Sequence, residues 1–193
     1  MFSSSPLTTL KSSQTPFPHF IIKNFLPQQQ AIQLFKALQH EQFELKQSDL
    51  FLFYQTNDLI SSTNPVLQQF RVYLASKQFT TQLTLLTKIK LKPNIIDMSG
   101  TIYTDTNYLL PHDDQLQGRK IAYIYYLSTL QKNDGGALAL YHSKNNQPTK
   151  ITKRIQPTFN TLLLFPVTNT SFHEVEEVIT KTQRIAISGW FHD

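Results

Sequence analysis

Residues that could bind a metal lie close together in the segment Tyr108-Leu-Leu-Pro-His-Asp-Asp. His112 and Asp114 are two positions apart, so in a β-strand their side chains would point to the same face. A neutral imidazole beside a carboxylate makes a good pair of ligands for a divalent transition metal. Another histidine, His173, follows far downstream in Thr170-Ser-Phe-His-Glu-Val. We therefore expect a site in which His112, Asp114 and His173 bind one metal ion.

An arginine, Arg184, follows the last of these ligands in Arg184-Ile-Ala-Ile-Ser-Gly-Trp. Two histidines and one carboxylate on one face of a metal leave the opposite face open, which is typical of non-haem Fe(II) oxygenases. A planar guanidinium donates two parallel hydrogen bonds, so Arg184 could bind the far carboxylate of a dicarboxylate co-substrate. Each residue alone has an ordinary explanation, such as a surface pair, a buried histidine or a salt bridge. Their joint order and spacing favour the metal site.

The order His-x-Asp, distal His and following Arg resembles the Fe(II)/2-oxoglutarate-dependent dioxygenases of the prolyl-hydroxylase type. The chain looks most like the catalytic half of the ribosomal prolyl 3-hydroxylases, which oxidise a proline of the small-subunit protein uS12. This resemblance begins at Phe17-Pro-His-Phe and covers the chain from about residue 16 to the end. It is carried by His112-Asp-Asp-Gln-Leu-Gln-Gly-Arg, Gly135-Gly-Ala-Leu-Ala-Leu, Ser171-Phe-His-Glu-Val and Ile185-Ala-Ile-Ser-Gly-Trp-Phe-His.

The resemblance implies a hydroxylase that uses Fe(II), 2-oxoglutarate, O2 and ascorbate and releases succinate and CO2. Arg184 and Tyr126 would then anchor the far carboxylate of 2-oxoglutarate. Tyr103 resembles a second co-substrate tyrosine, and Ser188 shares the strand face of Arg184 and could add a hydroxyl. The expected partner is a protein substrate, with uS12 as the candidate. We expect a cytoplasmic protein without direct nucleic-acid binding, and the sequence leaves its oligomeric state open.

Other functions remain open for the same residues. A 2-oxoglutarate oxygenase could instead oxidise another protein, a small molecule or an alkylated nucleic acid. A halogenase would lack the carboxylate that Asp114 supplies. Nucleic-acid demethylases carry a further arginine about six positions past the co-substrate arginine, where this chain has Trp190, a candidate for the pocket wall. A non-catalytic jelly-roll binding protein would usually have lost a ligand, and here all of them remain.

Composition indicates one globular domain. The 193 residues are 40% hydrophobic and include 14 Phe and 8 Tyr, and no apolar run approaches membrane-spanning length. There is no Cys, so a metal must bind to His and carboxylate side chains. The net charge of +5 either favours acidic or RNA-associated surroundings or merely aids solubility. We assign residues 1–15 to a flexible Ser/Thr-rich tail, with a transit peptide as the alternative, and residues 16–193 to the oxygenase domain.

The elements that must position these residues are helices followed by strands. Residues 20–26 predict a strand and turn, and helices are predicted over 27–40, from Asn64-Pro65 onward, and over 79–86. Residues 45–59 form either a hairpin or a long loop, and the family resemblance implies that this segment flanks the site as a lid on the substrate side. Strands are predicted over 95–103, 108–112, 119–128, 137–142, 150–156, 160–165, 171–176 and 183–191.

This pattern predicts a mainly β protein with flanking helices. Short strands behind helices fit a double-stranded β-helix, that is a jelly-roll or cupin-like fold, supported by two or three N-terminal α-helices. In that topology early and late strands pair near one mouth. His112 and His173 would then meet there.

Overall fold

The computed structural model describes Phe2 and residues 11–193. This part of the chain contains three α-helices, α1 (Gln28–Leu38), α2 (Pro65–Ala75) and α3 (Lys77–Thr87), and short 3-10 helices at Leu59–Ser61 and Lys132–Asp134. None of the helices in the described part has the length and apolar content needed to cross a bilayer. The predicted tail, residues 1–15, falls mostly outside the described residues.

Twelve strands in the described residues form one antiparallel sheet, which confirms the prediction of a mainly β protein with helices. The strands follow the order β1-β2-β10-β7-β12-β5-β4-β6-β11-β8-β9, and β3 pairs with β4. Their bounds are β1 Lys11–Ser13, β2 His19–Lys23, β3 Glu44–Ser48, β4 Phe51–Gln55, β5 Ser99–Tyr103, β6 Tyr108–His112, β7 Arg119–Tyr126, β8 Leu138–Lys144, β9 Gln147–Ile155, β10 Thr161–Pro166, β11 His173–Val175 and β12 Arg184–His192.

The sheet has two buried faces, because side chains alternate along each strand. On β7, Tyr123 and Tyr125 belong to a cluster that also contains the buried hydrophobic residues of all three helices. Ala122 and Tyr126 belong to a second cluster, which joins β7, β10 and β12 to residues of β8 and β11 such as Leu138. Since those strands lie far apart in the strand order, the sheet curls over and encloses this second cluster.

Local capping explains where two of the helices begin. The Asn64 side chain accepts a hydrogen bond from the Val66 N–H, and Pro65 occupies the first turn of α2. The Ser76 hydroxyl accepts from the Phe79 N–H, so α3 starts at Lys77, earlier than the predicted residue 79. The sequence pattern had located the apolar face of α3 but not its capped first turn.

Other boundaries also differ from the predictions. The hairpin expected as one alternative for residues 45–59 is confirmed, but it contains only β3 and β4, joined by a tight turn, and Leu59 already belongs to a 3-10 helix. The strand predicted over 95–103 begins only at Ser99, and residues 95–98 follow β12 through an isolated bridge between Ile96 and Phe191 rather than a continuous ladder. Strand β1, inside the predicted tail, was not expected and pairs with β2.

Two turns show the backbone angles that their residue types favour. Gly135 and Gly136 have φ values of 72° and 64°, which glycine adopts without steric cost. Asn145 and Asn146 have φ values of 53° and 55° and connect β8 to β9 as a two-residue hairpin turn.

A buried asparagine ties the helical layer to the sheet. The Asn160 Oδ1 atom accepts from the Leu26 N–H at 3.0 Å and from the Tyr125 hydroxyl at 2.8 Å. Its Nδ2 donates to the Leu26 carbonyl at 2.7 Å. Asn160 also has a positive φ of 58°, a conformation that asparagine tolerates better than most residues.

We predict that Asn160→Ala lowers the free energy of unfolding by roughly 2–4 kcal/mol, because it leaves buried donors and acceptors unpaired. Asn146→Ala is the matched control, since Asn146 has a similar φ but is exposed; it should cost about 1 kcal/mol. Urea denaturation of both variants measures the difference. Equal losses would show that the hydrogen bonds of Asn160 contribute little.

Candidate active site

The pairing of β6 with β11 brings the two predicted histidine ligands together. His173 lies opposite His112 in the register, and their ring centroids are 4.2 Å apart. Asp114 lies between them: its Oδ1 is 3.5 Å from His112 Nε2 and its Oδ2 is 3.3 Å from His173 Nε2. One ligand atom from each of these three residues lies within 4.8 Å of the others. The predicted cluster is therefore assembled.

The reason for the proximity of His112 and Asp114 differs from the sequence argument. We expected both on one strand, but β6 ends at His112 and Asp114 lies beyond it with a positive φ of 61°. Strand alternation therefore does not explain the pair. The left-handed backbone at Asp114 turns its carboxylate back toward the imidazoles, and a single sequence carries little signal of such a turn.

Backbone carbonyls set the orientation of both imidazole rings. His112 Nδ1 donates to the Leu110 carbonyl at 2.8 Å, and His173 Nδ1 donates to the Ser171 carbonyl at 2.9 Å. Because a carbonyl can only accept, Nδ1 carries the proton in each ring. In the neutral form of each imidazole, the Nε2 atom then carries the free lone pair. Both Nε2 atoms face Asp114. This is the usual arrangement of metal-binding histidines.

The charges in the cluster favour a bound cation. Burial disfavours the charged form of Asp114, but the two imidazoles that face it hold the pKa of its carboxyl well below its usual range. Burial lowers the pKa of His112, but the hydrogen bond and negative charge of Asp114, with smaller contributions from the Leu110 carbonyl and Asp113, together raise it above its usual value. The cluster thus holds an ionised carboxylate that attracts positive charge. Two nitrogen ligands and one oxygen ligand fit Fe(II) with open positions.

The cluster opens into a cavity of about 550 Å³. Apolar side chains on the inner strands, including Leu138, Phe165 and Val175, form part of its wall. The β3–β4 hairpin contributes the opposite side through Lys46, Phe51, Phe53 and Gln55. The cavity therefore combines a dry wall with a few polar groups, as small-molecule sites do.

Arg184 is buried in the wall of this cavity without an acidic partner among the described residues. Its side chain is 2% exposed, and its Nε donates to the Gly136 carbonyl at 3.1 Å. Its Nη2 has no hydrogen-bond partner within the described part of the chain. An unneutralised buried guanidinium is costly. We infer that a bound anion supplies the missing partner, and the far carboxylate of a dicarboxylate fits this role.

Of the other residues predicted to bind the co-substrate, two line the cavity and one lies behind its wall. Tyr103 and Ser188 line the cavity together with Arg184. The Tyr103 ring stacks on Phe53 with centroids 4.9 Å apart and lies 5.0 Å from Arg184 Cζ. Tyr126 is fully buried and does not line the cavity; its ring lies 5.2 Å from Arg184 Cζ. Tyr126 therefore lies one layer behind the arginine.

A polar residue that sequence reasoning missed lies beside Tyr126. Thr161 is opposite Tyr126 in the pairing of β10 with β7. Among the described residues, neither the Thr161 hydroxyl nor the Tyr126 hydroxyl has a hydrogen-bond partner with good geometry. Burial also raises the pKa of Tyr126, an effect that the nearby Arg184 charge partly opposes. No local signal marks Thr161, because only the strand register places it there.

A second set of missed residues lies at the opening of the cavity. The Arg119 guanidinium stacks over Trp190, with Cζ 3.3 Å from the ring centroid, and Asp97 lines the same opening. Trp190 was expected as a candidate wall residue, and it does line the cavity. Arg119 ends one of the segments that carried the family resemblance, but the residue types of Arg119 and Asp97 alone did not indicate a role.

Comparisons with known proteins agree with this geometry. Residues 98–192 match the model of the 2OG-Fe(II) oxygenase superfamily. The chain belongs to this family, whose members use Fe(II), 2-oxoglutarate and O2.

Relatives within the family are named as prolyl hydroxylases. The chain is 40% identical over 181 residues to prolyl 3-hydroxylase OGFOD1 of Mus musculus, covering 92% of this chain and 33% of the mouse protein. It is 34% identical over 166 residues to prolyl 3-hydroxylase sudestada1 of Drosophila melanogaster, covering 81% of this chain and 31% of that protein. The chain thus spans about a third of the length of these curated relatives.

Solved structures share the fold. A prolyl-4-hydroxylase of Pseudomonas putida has a TM-score of 0.73 at 16% identity, covering 97% of this chain and 95% of the other. A prolyl hydroxylase of Trichoplax adhaerens, solved in complex with a hypoxia inducible factor peptide fragment, has a TM-score of 0.62 at 20% identity, covering 91% and 83%. These likenesses are consistent with a jelly-roll fold.

We predict that His173→Ala lowers the affinity for Mn(II), used as a probe for Fe(II), by roughly 100-fold or more. Loss of a residue that only hydrogen-bonds to a metal ligand already lowers metal affinity about 10- to 100-fold, and loss of the ligand itself should cost more. Calorimetric titration of the purified protein measures it. His142→Ala is the control, because His142 is exposed and bonds only to Thr149. Equal Mn(II) affinity in the two variants would exclude His173 as a ligand.

Proposed function

We propose that this protein is an Fe(II)- and 2-oxoglutarate-dependent protein prolyl hydroxylase. One observation carries the proposal: His112, Asp114 and His173 converge in the same cavity as a buried arginine that has no acidic partner in the described residues. A metal site with open positions and a nearby unneutralised guanidinium are what a chelating dicarboxylate requires.

In this proposal His112, Asp114 and His173 hold Fe(II). When bound, Fe(II) with 2-oxoglutarate supplies the oxidative chemistry that uses O2 to place a hydroxyl on an unactivated C–H bond, releasing succinate and CO2. Ascorbate would serve as the added reductant.

The chain's own residues position the co-substrate. Arg184 binds its far carboxylate through two parallel hydrogen bonds, and its Nε bond to Gly136 holds the guanidinium plane in place. Ser188 lies four residues along the same strand, on the same face, and adds a hydroxyl donor. Tyr103 flanks the guanidinium from the cavity wall, while Tyr126 supports it from behind. The apolar wall keeps water away from the reacting groups.

The substrate we propose is a proline in a protein, with ribosomal protein uS12 as the first candidate. The support comes from relatives named prolyl 3-hydroxylases and from a structural neighbour solved with a peptide fragment. The β3–β4 hairpin would form the lid on the substrate side, because Lys46, Phe51 and Phe53 line the cavity. A ribosomal protein substrate would be met in the cytoplasm.

We also propose the finer description of the fold. The curled sheet corresponds to a double-stranded β-helix, in which the second hydrophobic cluster and the metal site occupy the inside. Helices α1, α2 and α3 would support the outer face, where their buried residues share a cluster with Tyr123 and Tyr125.

Arg184→Lys should weaken 2-oxoglutarate binding by roughly 10- to 100-fold, because one ammonium cannot replace two parallel hydrogen bonds. The measurement is the KM for 2-oxoglutarate in succinate formation, with Mn(II) affinity as an internal control. Arg154→Lys is the matched variant, since Arg154 is exposed and pairs with Glu176 away from the cavity. An unchanged KM for Arg184→Lys would place the co-substrate elsewhere.

Mass spectrometry tests the proposed reaction directly. A uS12 peptide that contains the proline loop is incubated with enzyme, Fe(II), 2-oxoglutarate and ascorbate. We expect one added oxygen on the proline, absent when 2-oxoglutarate is omitted. Succinate without a modified peptide would retain the oxygenase and reject uS12. If neither succinate nor a modified peptide is formed, the result favours a non-catalytic binding protein.

A further inference from the structure

Asp97 lies at the opening of the cavity, and its backbone is held from two sides. Its N–H donates to the Trp190 carbonyl at 3.0 Å, and its carbonyl accepts from the Tyr123 hydroxyl at 2.9 Å. Gly189 makes this approach possible, because a Cβ at that position would lie 1.9 Å from the Asp97 oxygen. The position of Asp97 relative to β12 is therefore set independently of its side chain.

The Asp97 carboxylate faces two basic side chains. Its Oδ2 lies 3.1 Å from His192 Nε2 and 3.9 Å from Arg119 Nε. Arg119 in turn places its guanidinium 3.3 Å above the ring of Trp190. Asp97, Arg119 and Trp190 all line the cavity that contains the metal ligands.

From this geometry we propose that Asp97 is a positioning residue, whose carboxylate holds the Arg119 guanidinium flat on Trp190 and so builds one wall of the opening through which the substrate peptide enters. The role in peptide binding rests on the proposed function, whereas the contact of Asp97 with the Arg119–Trp190 stack does not depend on it.

The stack needs such support for a physical reason. An arginine loses much rotamer freedom when it is held in one conformation, and a cation–π contact at a partly exposed site offsets only part of that loss. Two carboxylates, Asp114 and Asp97, attract Arg119. Only Asp97 lies within ion-pair distance in the described residues. Because its backbone is fixed, Asp97 favours one orientation of the guanidinium rather than a range of them.

The consequence for function lies in binding of the large substrate. A wall that is already ordered costs less entropy to bind against than one that must be ordered. Loss of the Asp97 carboxylate should therefore raise the KM for the peptide. The KM for 2-oxoglutarate should change little, because Arg184 and Tyr103 do not contact Asp97.

Trp190 is the only tryptophan in the sequence, so its fluorescence reports on the stack directly. Asp97→Asn keeps the size and backbone of the residue and removes its charge. We expect its emission and acrylamide quenching to approach those of Arg119→Gln, in which the stack is absent. Asp193→Asn is the matched control, because Asp193 pairs with Lys120 and does not line the cavity; it should match the wild type.

The peptide KM of Asp97→Asn should rise roughly two- to fivefold, the factor that corresponds to loss of one cation–π contact at a partly exposed site. Wild-type fluorescence in Asp97→Asn, with altered fluorescence in Arg119→Gln, would overturn the proposal because the stack would hold without Asp97. If Asp97→Asn does not fold, Asp97→Glu is the second variant, because it retains the charge. Wild-type fluorescence and peptide KM in Asp97→Glu would support the proposal. Fluorescence and KM equal to those of Arg119→Gln would contradict it.

Failure of the proposed function would be seen separately. A wild-type protein that does not modify the peptide would count against prolyl hydroxylation. The fluorescence of Asp97→Asn would still determine whether Asp97 positions Arg119.

Discussion

The register of the β6–β11 pair is the constraint on which the site depends. It places His173 opposite His112, and the pairing continues only to Val175 opposite Leu109, with an irregularity between them. Since side chains alternate along a strand, a shift of one residue would turn an imidazole away from Asp114. The short length of β11 means that its neighbours must hold this register. Pairing with β8 through His173 and Leu140 provides that support.

Two groups of opposite charge, Asp114 and Arg184, line the same cavity. Asp114 is ionised and faces only imidazoles in the ion pairs of the described chain, and Arg184 has no acidic partner there. A buried guanidinium such as that of Arg184 lowers stability unless it is paired, whereas the two imidazoles already favour the ionised form of Asp114. A metal cation beside the carboxylate and a dicarboxylate beside the guanidinium would neutralise both. The arrangement thus links binding of the two cofactors to the stability of the folded state.

The tyrosines of β7 alternate between the two faces of the sheet. Tyr123 and Tyr125 face the helical side, where Tyr125 bonds to Asn160 and Tyr123 bonds to Asp97. Tyr126 faces the interior and lies behind Arg184. One strand therefore connects the helical layer, the opening of the cavity and the co-substrate side.

Residue types and their order were sufficient to predict that His112, Asp114 and His173 come together, that Arg184 lies in the same cavity, and that the architecture is mainly β with most of its strands. Alternating hydrophobicity and the pattern His-x-Asp, His, Arg are local or ordered along the chain. The structure decided what depends on contacts between distant segments. Asp114 reaches the imidazoles through a left-handed turn, Tyr126 lies behind Arg184 rather than on the cavity wall, and Thr161 and Asp97 gain their places from strand register and from the close approach at Gly189. These features arise from backbone geometry and packing across the sheet, which no local pattern in the sequence encodes.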